Sequence, residues 1–282
     1  MPDNPTSVES PALPLTDHRL LALTGKDALA FAQAQFMNDV TALADGAWQW
    51  NGWLTPKGRM VALFALLKLD AESLWLLLPD YSPDALAEGL KKYVFRSKLA
   101  LTPRPDLQVT GIWDAASEPA LREFRRTDQD VISLDWPSAR RIDIRPAPAA
   151  VTPSDDAAVT HWRETDLRAG IPRLVESQSA QWTPQQLSLD RLRAYSVKKG
   201  CYPGQEIVAR THFLGQAKRG LAVLETDDEA TPGDEVLADD RPIGTVIASA
   251  GRIAQAVLPL EPTEGALLIG GLPATRLALA PA

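Results

Sequence analysis

The chain contains one cysteine in 282 residues, Cys201, so no internal disulfide bond can hold its fold together. Buried apolar side chains must do so instead, and a composition of 45% hydrophobic and 23% charged residues is ordinary for globular proteins of two or three domains. Without disulfides, a reducing cytoplasm is the compartment we expect. We expect no membrane association, because the longest apolar runs, residues 60–69 and 74–79, are well below the roughly 20 residues of a membrane helix.

The order of hydrophobic patterns predicts an α+β fold. Amphipathic spacing predicts helices at residues 27–39, 83–95, 159–170 and 184–196. Alternating patterns predict strands at residues 48–53, 59–69, 73–78, 98–102, 107–113, 131–134 and 141–145. The earlier strands and the first two helices predict an antiparallel sheet with helices on one side. After residue 215, short strand-like runs at 220–225, 235–237, 242–249, 253–258 and 272–279 are separated by glycine and proline, which is typical of a small β-barrel.

Cys201 lies among lysine, glycine and proline residues rather than among periodic apolar ones, which predicts a loop. The pattern after Pro203 predicts a helix that starts just beyond the thiol. Free amides at a helix start and the nearby cations Lys199 and Arg210 favour a thiolate, whereas the carboxylate of Glu206 opposes it. We therefore interpret Cys201 as a reactive thiol rather than a core residue.

Charge is distributed unevenly along the chain. The formal net charge of -7 argues against a general nucleic-acid binder. Residues 190–220 nevertheless hold seven basic and two acidic side chains, a local charge of +5, which favours an anionic ligand near the cysteine. The three histidines form no paired metal motif, and one cysteine alone cannot hold an iron–sulfur cluster in the usual way, so we expect no stably bound metal.

Several segments together resemble one protein family. Residues 199–206 read KGCYPGQE and are followed by VAR at 208–210, which is similar to the signature of the folate-binding YgfZ family, relatives of the glycine-cleavage T-protein. The resemblance extends to GKD at 25–27 with Gln35, Asn38 and Asp39, LTPKGR at 54–59, YVFRSK at 93–98, AGIP at 169–172 and PQ at 184–185. It covers the chain from about residue 15 into the C-terminal barrel.

The resemblance implies a three-domain, T-protein-like ring with a central opening that binds tetrahydrofolate. On this basis, residues 15–46 plus 140–214 form a discontinuous α/β domain that binds folate and carries the cysteine loop. Residues 47–139 form a ferredoxin-like α+β domain, and residues 215–282 form the C-terminal β-barrel.

The implied function is that of a folate-binding accessory protein supporting assembly or repair of Fe–S enzymes, including tRNA methylthiolation enzymes. Its partners would be folate and Fe–S enzymes or their assembly proteins, with no direct contact to nucleic acid. Cys201 and Lys199 would be the reactive residues. The remaining motif residues would shape the loop, keep the thiolate or position a partner: Gly200, Tyr202, Gly204, Gln205, Glu206 and Arg210. The expected tetrahydrofolate contacts are Asn38, Lys57, Arg59, Glu164 and Arg168.

Two other functions remain open at this stage. One is a tetrahydrofolate-dependent aminomethyl transferase resembling the T-protein, and the other is a binding module in which the cysteine is incidental. The transferase carries an aspartate after the hairpin turn, whereas residues 59–63 contain no acid. The transferase also has a glutamate that hydrogen-bonds the pterin, and this chain has Arg168 in its place. A guanidinium cannot accept a hydrogen bond, but Glu164, one helical turn earlier, could substitute. Both departures disfavour the transferase, and the loop chemistry disfavours the binding module.

Overall fold

The computed structural model describes residues 12–113, 122–127, 130–149, 155–215, 217–261 and 265–279. The helices in these ranges are α1 (Ala28–Gln35), α2 (Pro83–Lys91), α3 (Asp156–Arg168) and α4 (Gln205–Phe213). The strands are β1 (Leu13–Pro14), β2 (His18–Thr24), β3 (Ala47–Leu54), β4 (Met60–Asp70), β5 (Ser73–Pro79), β6 (Ala100–Pro103), β7 (Leu107–Trp113), β8 (Phe124–Arg126), β9 (Ile132–Trp136), β10 (Arg140–Pro146), β11 (Arg219–Thr226), β12 (Glu235–Ala238), β13 (Arg241–Ala250), β14 (Ile253–Pro259), β15 (Leu267–Ile269) and β16 (Leu272–Leu277).

The first sheet is antiparallel, with strand order β3-β4-β5-β2-β6. Helices α1 and α2 cover one face, where Phe31 and Leu86 pack in the same cluster as Phe64 and Leu66 of β4. Alternate residues of a strand point to opposite faces, so the intervening residues of β4, such as Ala65, pack on the other side. The predicted antiparallel sheet with helices on one side is confirmed for β3, β4, β5 and β6, whereas the run at residues 107–113, expected in the same sheet, forms β7 of the second sheet.

Strand β2 corrects the expected division of the chain. It lies between β5 and β6, so residues 18–24, assigned from the resemblance to the first domain, pair with strands assigned to the second. Without β3, the elements β2-α1-β4-β5-α2-β6 have the order of a ferredoxin-like split βαβ unit, and β3 adds one edge strand. This unit spans residues 18–103 instead of starting at residue 47. The cause is the buried apolar run Leu20–Leu23, which suits an inner strand covered on both faces.

The second sheet has the order β1-β7-β10-β9-β8 and packs against the face of the first sheet that lacks helices. Tryptophan rings fill this layer: Trp136 of β9 stacks on Trp48 of β3 with ring centroids 5.6 Å apart. Helix α3 joins this sheet through Trp162, whose ring lies directly over Gly111 of β7. Because β9 and β10 are adjacent strands of one sheet, the expected domain boundary between residues 139 and 140 falls inside a hairpin.

Strands β11 to β16 close into the predicted barrel, in the order β11-β14-β13-β12-β15-β16. Its interior is filled by small and medium apolar side chains such as Leu224, Val246 and Ala256. A six-stranded barrel at the C-terminal end of an α+β chain agrees with the predicted fold class. The ring-shaped arrangement of three domains stays a prediction.

The predicted helix at residues 184–196 is wrong, because the chain there forms successive turns. Ser188 and Arg193 have φ angles of 50° and 51°, in the left-handed region that interrupts a helix. The amide of Leu189 donates to the carbonyl of Pro184, and that of Ala194 donates to Leu189, so each bond spans five residues instead of four. These turns bury four apolar side chains whose spacing would not place them on one helix face: Leu187, Leu189, Leu192 and Ala194.

No helix among the described residues is both long enough and apolar enough to cross a membrane.

Candidate functional site

Cys201 is a free, exposed cysteine on a loop whose flanking residues are buried. Lys199 on one side is 5% exposed and Tyr202 on the other is 6% exposed. The hydroxyl of Tyr202 donates to the carbonyl of Ser196 at 3.2 Å, and burial raises its pKa. The Ser196 hydroxyl oxygen accepts from the Lys199 amide at 3.2 Å. Between the two buried anchors, Gly200 and Cys201 are exposed, so the thiol is presented to solvent.

Lys199 holds the cysteine loop to the end of helix α1. Its Nζ donates to the carbonyl oxygens of Gln33 at 2.6 Å, Phe36 at 2.5 Å and Asn38 at 3.0 Å, which uses all three ammonium protons. Burial lowers the pKa of Lys199 to about 8, an effect opposed by the Asp39 carboxylate. The ammonium is thus committed to backbone carbonyls, and these contacts are those of a positioning residue, whereas the resemblance implies a reactive one.

Helix α4 begins just beyond the thiol, as predicted, and two glycines join its start to the β3–β4 turn. Gly204, the N-cap residue, has φ of 81°, and a Cβ there would lie 2.7 Å from both the Cα of Gly58 and the carbonyl oxygen of Thr55. Gly58 has φ of 69°, and a Cβ there would lie 2.8 Å from the Cβ of Ile207. Both positions therefore require glycine, whereas a Cβ on Gly200 would meet no atom within 4 Å.

The other motif residues divide between the inside and the surface of this arrangement. Gln205 donates from Nε2 to the carbonyl of Lys199 at 3.0 Å and so helps to close the loop. Glu206 and Arg210 are exposed on α4. His212 is exposed near the end of the same helix, with its ring against Phe213.

The expected folate contacts fall into two groups with different surroundings. Asn38 is buried, and its Nδ2 donates to the carbonyls of Trp50 at 2.9 Å and Arg193 at 2.7 Å. Arg59 donates from Nη1 to the carbonyl of Gln181 at 2.7 Å. The side chains of Asn38 and Arg59 thus tie α1 and the β3–β4 hairpin to the turns of residues 180–196. Lys57, in the same hairpin, is exposed.

Glu164 and Arg168 lie at the junction between α3 and the barrel. The Glu164 carboxylate accepts from the backbone amide of Arg252 at 3.2 Å, and Arg168 donates from Nη2 to Glu225 at 3.1 Å. The two residues share a helix face, as expected, but that face is occupied by barrel residues. Their predicted role in holding the pterin is therefore not supported by their contacts.

Two cavities can be compared with a folate site. One of about 420 Å³ is lined by residues of β1, β2, β7 and the start of α2, including Leu20, Arg104 and Leu107. The other, about 110 Å³, lies between α3, the barrel and the buried Arg173. Neither of these two cavities is lined by one of the five expected contacts, and the role of these residues in folate binding stays a prediction. The described residues also contain no group of three or more His, Cys, Asp or Glu side chains that could hold a metal.

Sequence reasoning missed a buried ionic network centred on Arg173. Its Nη1 donates to Asp166 at 2.9 Å, its Nη2 to Asp17 at 2.6 Å, and its Nε to Asp80 at 2.6 Å. Asp166 is fully buried and also accepts from Arg140 at 2.8 Å. Burial acts to raise the pKa of Asp166, but the cations Arg140 and Arg173 outweigh it, and its pKa is lowered.

This network joins the residue before β2, the residue after β5, α3 and the segment after α3, so its role is structural. One signal in the sequence could have revealed it. Val159, Trp162 and Asp166 share one helix face at spacings of three and four residues, so a carboxylate lies in an apolar stripe. A carboxylate in that position must find buried cations.

The chain has sequence relatives among known proteins. The chain matches no protein-family profile. It is 30% identical to the tRNA-modifying protein YgfZ of Cronobacter sakazakii over 92% of this chain and 89% of that protein. It is 29% identical to the protein of the same name from Klebsiella pneumoniae over 88% of this chain and 84% of that protein. An uncharacterized protein of Haemophilus influenzae is 33% identical over 79% of this chain and 76% of that protein.

Among solved structures, the chain is similar to the glycine cleavage system aminomethyltransferase T of Bartonella henselae, with a TM-score of 0.73. The match covers 96% of this chain and 86% of that chain at 14% sequence identity. The fold is therefore aminomethyltransferase-like, and at this identity the likeness concerns the fold alone.

Proposed function

Because this chain belongs to the family of the tRNA-modifying protein YgfZ, we propose that it is a folate-binding accessory protein that supports assembly or repair of Fe–S enzymes through Cys201. The enzymes it serves would include those that methylthiolate tRNA. The name of the relatives supports the connection to tRNA, and the aminomethyltransferase-like fold supports folate as the cofactor.

The observation that carries the proposal is an exposed thiol held between two buried anchors, Lys199 and Tyr202. A structural cysteine is usually buried, whereas a cysteine that acts on another protein must reach out of the surface. Iron–sulfur clusters take four ligands as a rule, so one thiol can supply a single iron ligand or a single sulfur-reactive group and the partner must supply the rest. This matches an accessory role better than a resident cluster.

The decisive experiment is complementation with Cys201→Ser in cells that lack the native protein. Serine is close in size to cysteine but stays a neutral alcohol near pH 7, so we expect an unchanged free energy of unfolding and loss of tRNA methylthiolation, measured by nucleoside mass spectrometry. Arg241→Ala, at an exposed position of the barrel, is the control and should complement fully. Full methylthiolation with Cys201→Ser would refute the proposal.

Thiol accessibility gives a second test on the purified protein. Iodoacetamide should label Cys201 in the native state, because its thiol is exposed. Labelling that requires unfolding would make Cys201 a structural residue.

Folate binding is the separable part of the proposal. Its anionic glutamate tail would suit the exposed cations Arg193, Lys198 and Arg210 near the cysteine loop. Calorimetry with mono- and polyglutamylated tetrahydrofolate should show tighter binding of the polyglutamylated form. Absence of heat from both compounds would remove folate and leave the thiol proposal standing.

The alternative function is tetrahydrofolate-dependent aminomethyl transfer, which the fold likeness favours. Against it, Ala62 and Leu63 on β4 are buried and apolar, and residues 59–63 supply no carboxylate to orient a reacting amine. We expect no turnover with aminomethylated lipoyl carrier protein and tetrahydrofolate. A rate comparable with that of a T-protein would favour the alternative.

A further inference from the structure

The segment that follows α2 forms a surface of aromatic rings and cations. Tyr93 is 42% exposed and Phe95 is 87% exposed, which is unusual for large aromatic side chains. The exposed cations Lys92, Arg96 and Lys98 alternate with these rings. Lys26 is adjacent, since the Asp27 carboxylate accepts from the Lys98 amide at 2.6 Å. We call Lys26, Lys92, Tyr93, Phe95, Arg96 and Lys98 the aromatic–basic patch.

Phe95 is held in a conformation that its packing does not explain. Its φ angle is 28°, a region where a bulky residue is a genuine outlier. The chain around it is fixed, because the Ser97 amide donates to the Val94 carbonyl at 2.7 Å and Val94 packs against the first core. Strained backbone that displays an exposed ring, instead of burying it, is a feature of binding surfaces.

The cations of the aromatic–basic patch are available to an anion. None of Lys26, Lys92, Arg96 and Lys98 forms an ion pair within the part of the chain that the structure describes, whereas the neighbouring Lys91 pairs with Glu88 at 2.8 Å. The guanidinium of Arg96 lies 5.2 Å from the centroid of the Phe95 ring. A planar anionic ligand could therefore meet a ring and positive charge at one place.

We propose that the aromatic–basic patch binds single-stranded RNA, with bases stacked on Phe95 and Tyr93 and phosphates next to the four cations. Single-stranded nucleic acids are recognised by this combination of aromatic platforms and basic side chains. An acidic protein would use the cations but would gain little from a strained, exposed phenyl ring. The choice of RNA rests on the proposed role in tRNA modification. It departs from the expectation drawn from net charge, because local charge decides where phosphates bind.

The patch lies close to the cysteine loop. Helix α1, about 12 Å long at its 1.5 Å rise per residue, has the patch at its start and the Lys199 contacts at its end. Trp53 also connects the patch with the end of α1. Its ring centroid is 6.2 Å from that of Tyr93, and its backbone forms a β-bridge with Phe36. An RNA held on the patch would therefore lie within about one short helix of the thiol-bearing loop.

The test measures binding of a fluorescently labelled, unstructured RNA oligonucleotide to the full-length protein at several salt concentrations. Phe95→Gly should weaken binding roughly 5- to 150-fold, the range for losing one stacked base. Its stability should stay equal or rise, because glycine accepts a positive φ. Phe213→Ala removes an aromatic ring that is 67% exposed on α4 and should leave the affinity unchanged.

The charge arm uses the double variant Lys92→Glu with Arg96→Glu. For single strands, the slope of log K against log salt should fall by about 0.7 for each lost phosphate contact, thus about 1.4 for two. Arg241→Glu on the barrel is the matched control and should change neither the slope nor the affinity.

Three results would overturn the inference. The first is that the unmodified protein does not bind RNA at low salt, and the second is that Phe95→Gly binds RNA with unchanged affinity. The third is that the charge variant loses binding of polyglutamate or of anionic vesicles as strongly as binding of RNA, while Phe95→Gly affects none of them. The last result would identify an acidic protein or a lipid surface instead. Cys201→Ser separates the proposals: it should bind RNA normally while losing methylthiolation. Normal methylthiolation in that variant would refute the proposed function and leave the RNA measurement valid.

Discussion

Gly204→Ala tests whether the cysteine loop depends on the contact between α4 and the β3–β4 turn. A residue other than glycine at φ of 81° costs about 1–2 kcal/mol. The new Cβ would also lie 2.7 Å from the Gly58 Cα and the Thr55 carbonyl oxygen, both backbone atoms that cannot rotate away. Overpacking of this kind costs about 1–3 kcal/mol. We therefore expect the free energy of unfolding to fall by about 2–5 kcal/mol.

Gly200→Ala is the matched control, because Gly200 lies in the same loop and a Cβ there would meet no atom within 4 Å. Its free energy of unfolding should stay within about 0.5 kcal/mol of the unmodified protein. Denaturant unfolding measures both variants, and native-state labelling of Cys201 by iodoacetamide reports whether the loop keeps its shape. If Gly204→Ala is as stable as Gly200→Ala, the glycine contact does not hold the loop and the reasoning fails.

Two further predictions concern buried charge. Asp166→Asn leaves Arg140 and Arg173 without their shared carboxylate and should destabilise the protein by about 3–5 kcal/mol in denaturant unfolding, whereas Asp227→Asn, in an exposed pair, should have little effect. The pKa of Asp166 is lowered in the folded state, so its contribution to the free energy of unfolding is present above the unfolded pKa of about 4 and is lost as the pH falls below it. Asp166→Asn should therefore lose less stability in acid than the unmodified protein does. An unchanged dependence of stability on pH in acid would contradict this. The pKa of Lys199 is about 8 in the folded state and about 10.4 in the unfolded state, so the folded state binds fewer protons between these two values. The free energy of unfolding should therefore rise from about pH 8 to 9.5 relative to that of Lys199→Met. Parallel stability curves of the two proteins would contradict this.

The sequence predicted the regular elements well where local pattern determines them. Five of the six barrel strands and both strands of the β3–β4 hairpin have alternating or continuous apolar runs between glycine and proline, and these runs became strands with ends shifted by a few residues, whereas β15 was not predicted. The segment 184–196 failed because its leucines also suit a helix, while the actual turns depend on left-handed residues such as Ser188 and Arg193 that no pattern marks. Strand β2 was missed because its apolar run, Leu20–Leu23, is only four residues long, and periodicity alone cannot distinguish so short a run from a buried helix segment.

The candidate site was predictable in its motif but not in its contacts. The sequence identifies Cys201 and the loop around it, since glycine, proline and charge are local features. It does not show that the Lys199 side chain is buried against carbonyls more than 160 positions away in the chain. A lysine beside a cysteine suggests an effect on the thiol, and only the three-dimensional packing shows that its ammonium binds the end of α1.

The exposure of Cys201 follows from what is buried around it. Lys199 fixes the loop to α1 on one side of the thiol, and Tyr202 with Gly204 fixes it to Ser196 and the β3–β4 turn on the other. Between Lys199 and Tyr202, only two residues remain outside, so the thiol cannot retreat into the core without breaking buried hydrogen bonds. A loop anchored in this way keeps the thiol exposed without needing a cavity around it, which is what the proposed action on a partner protein, rather than on an enclosed substrate, requires.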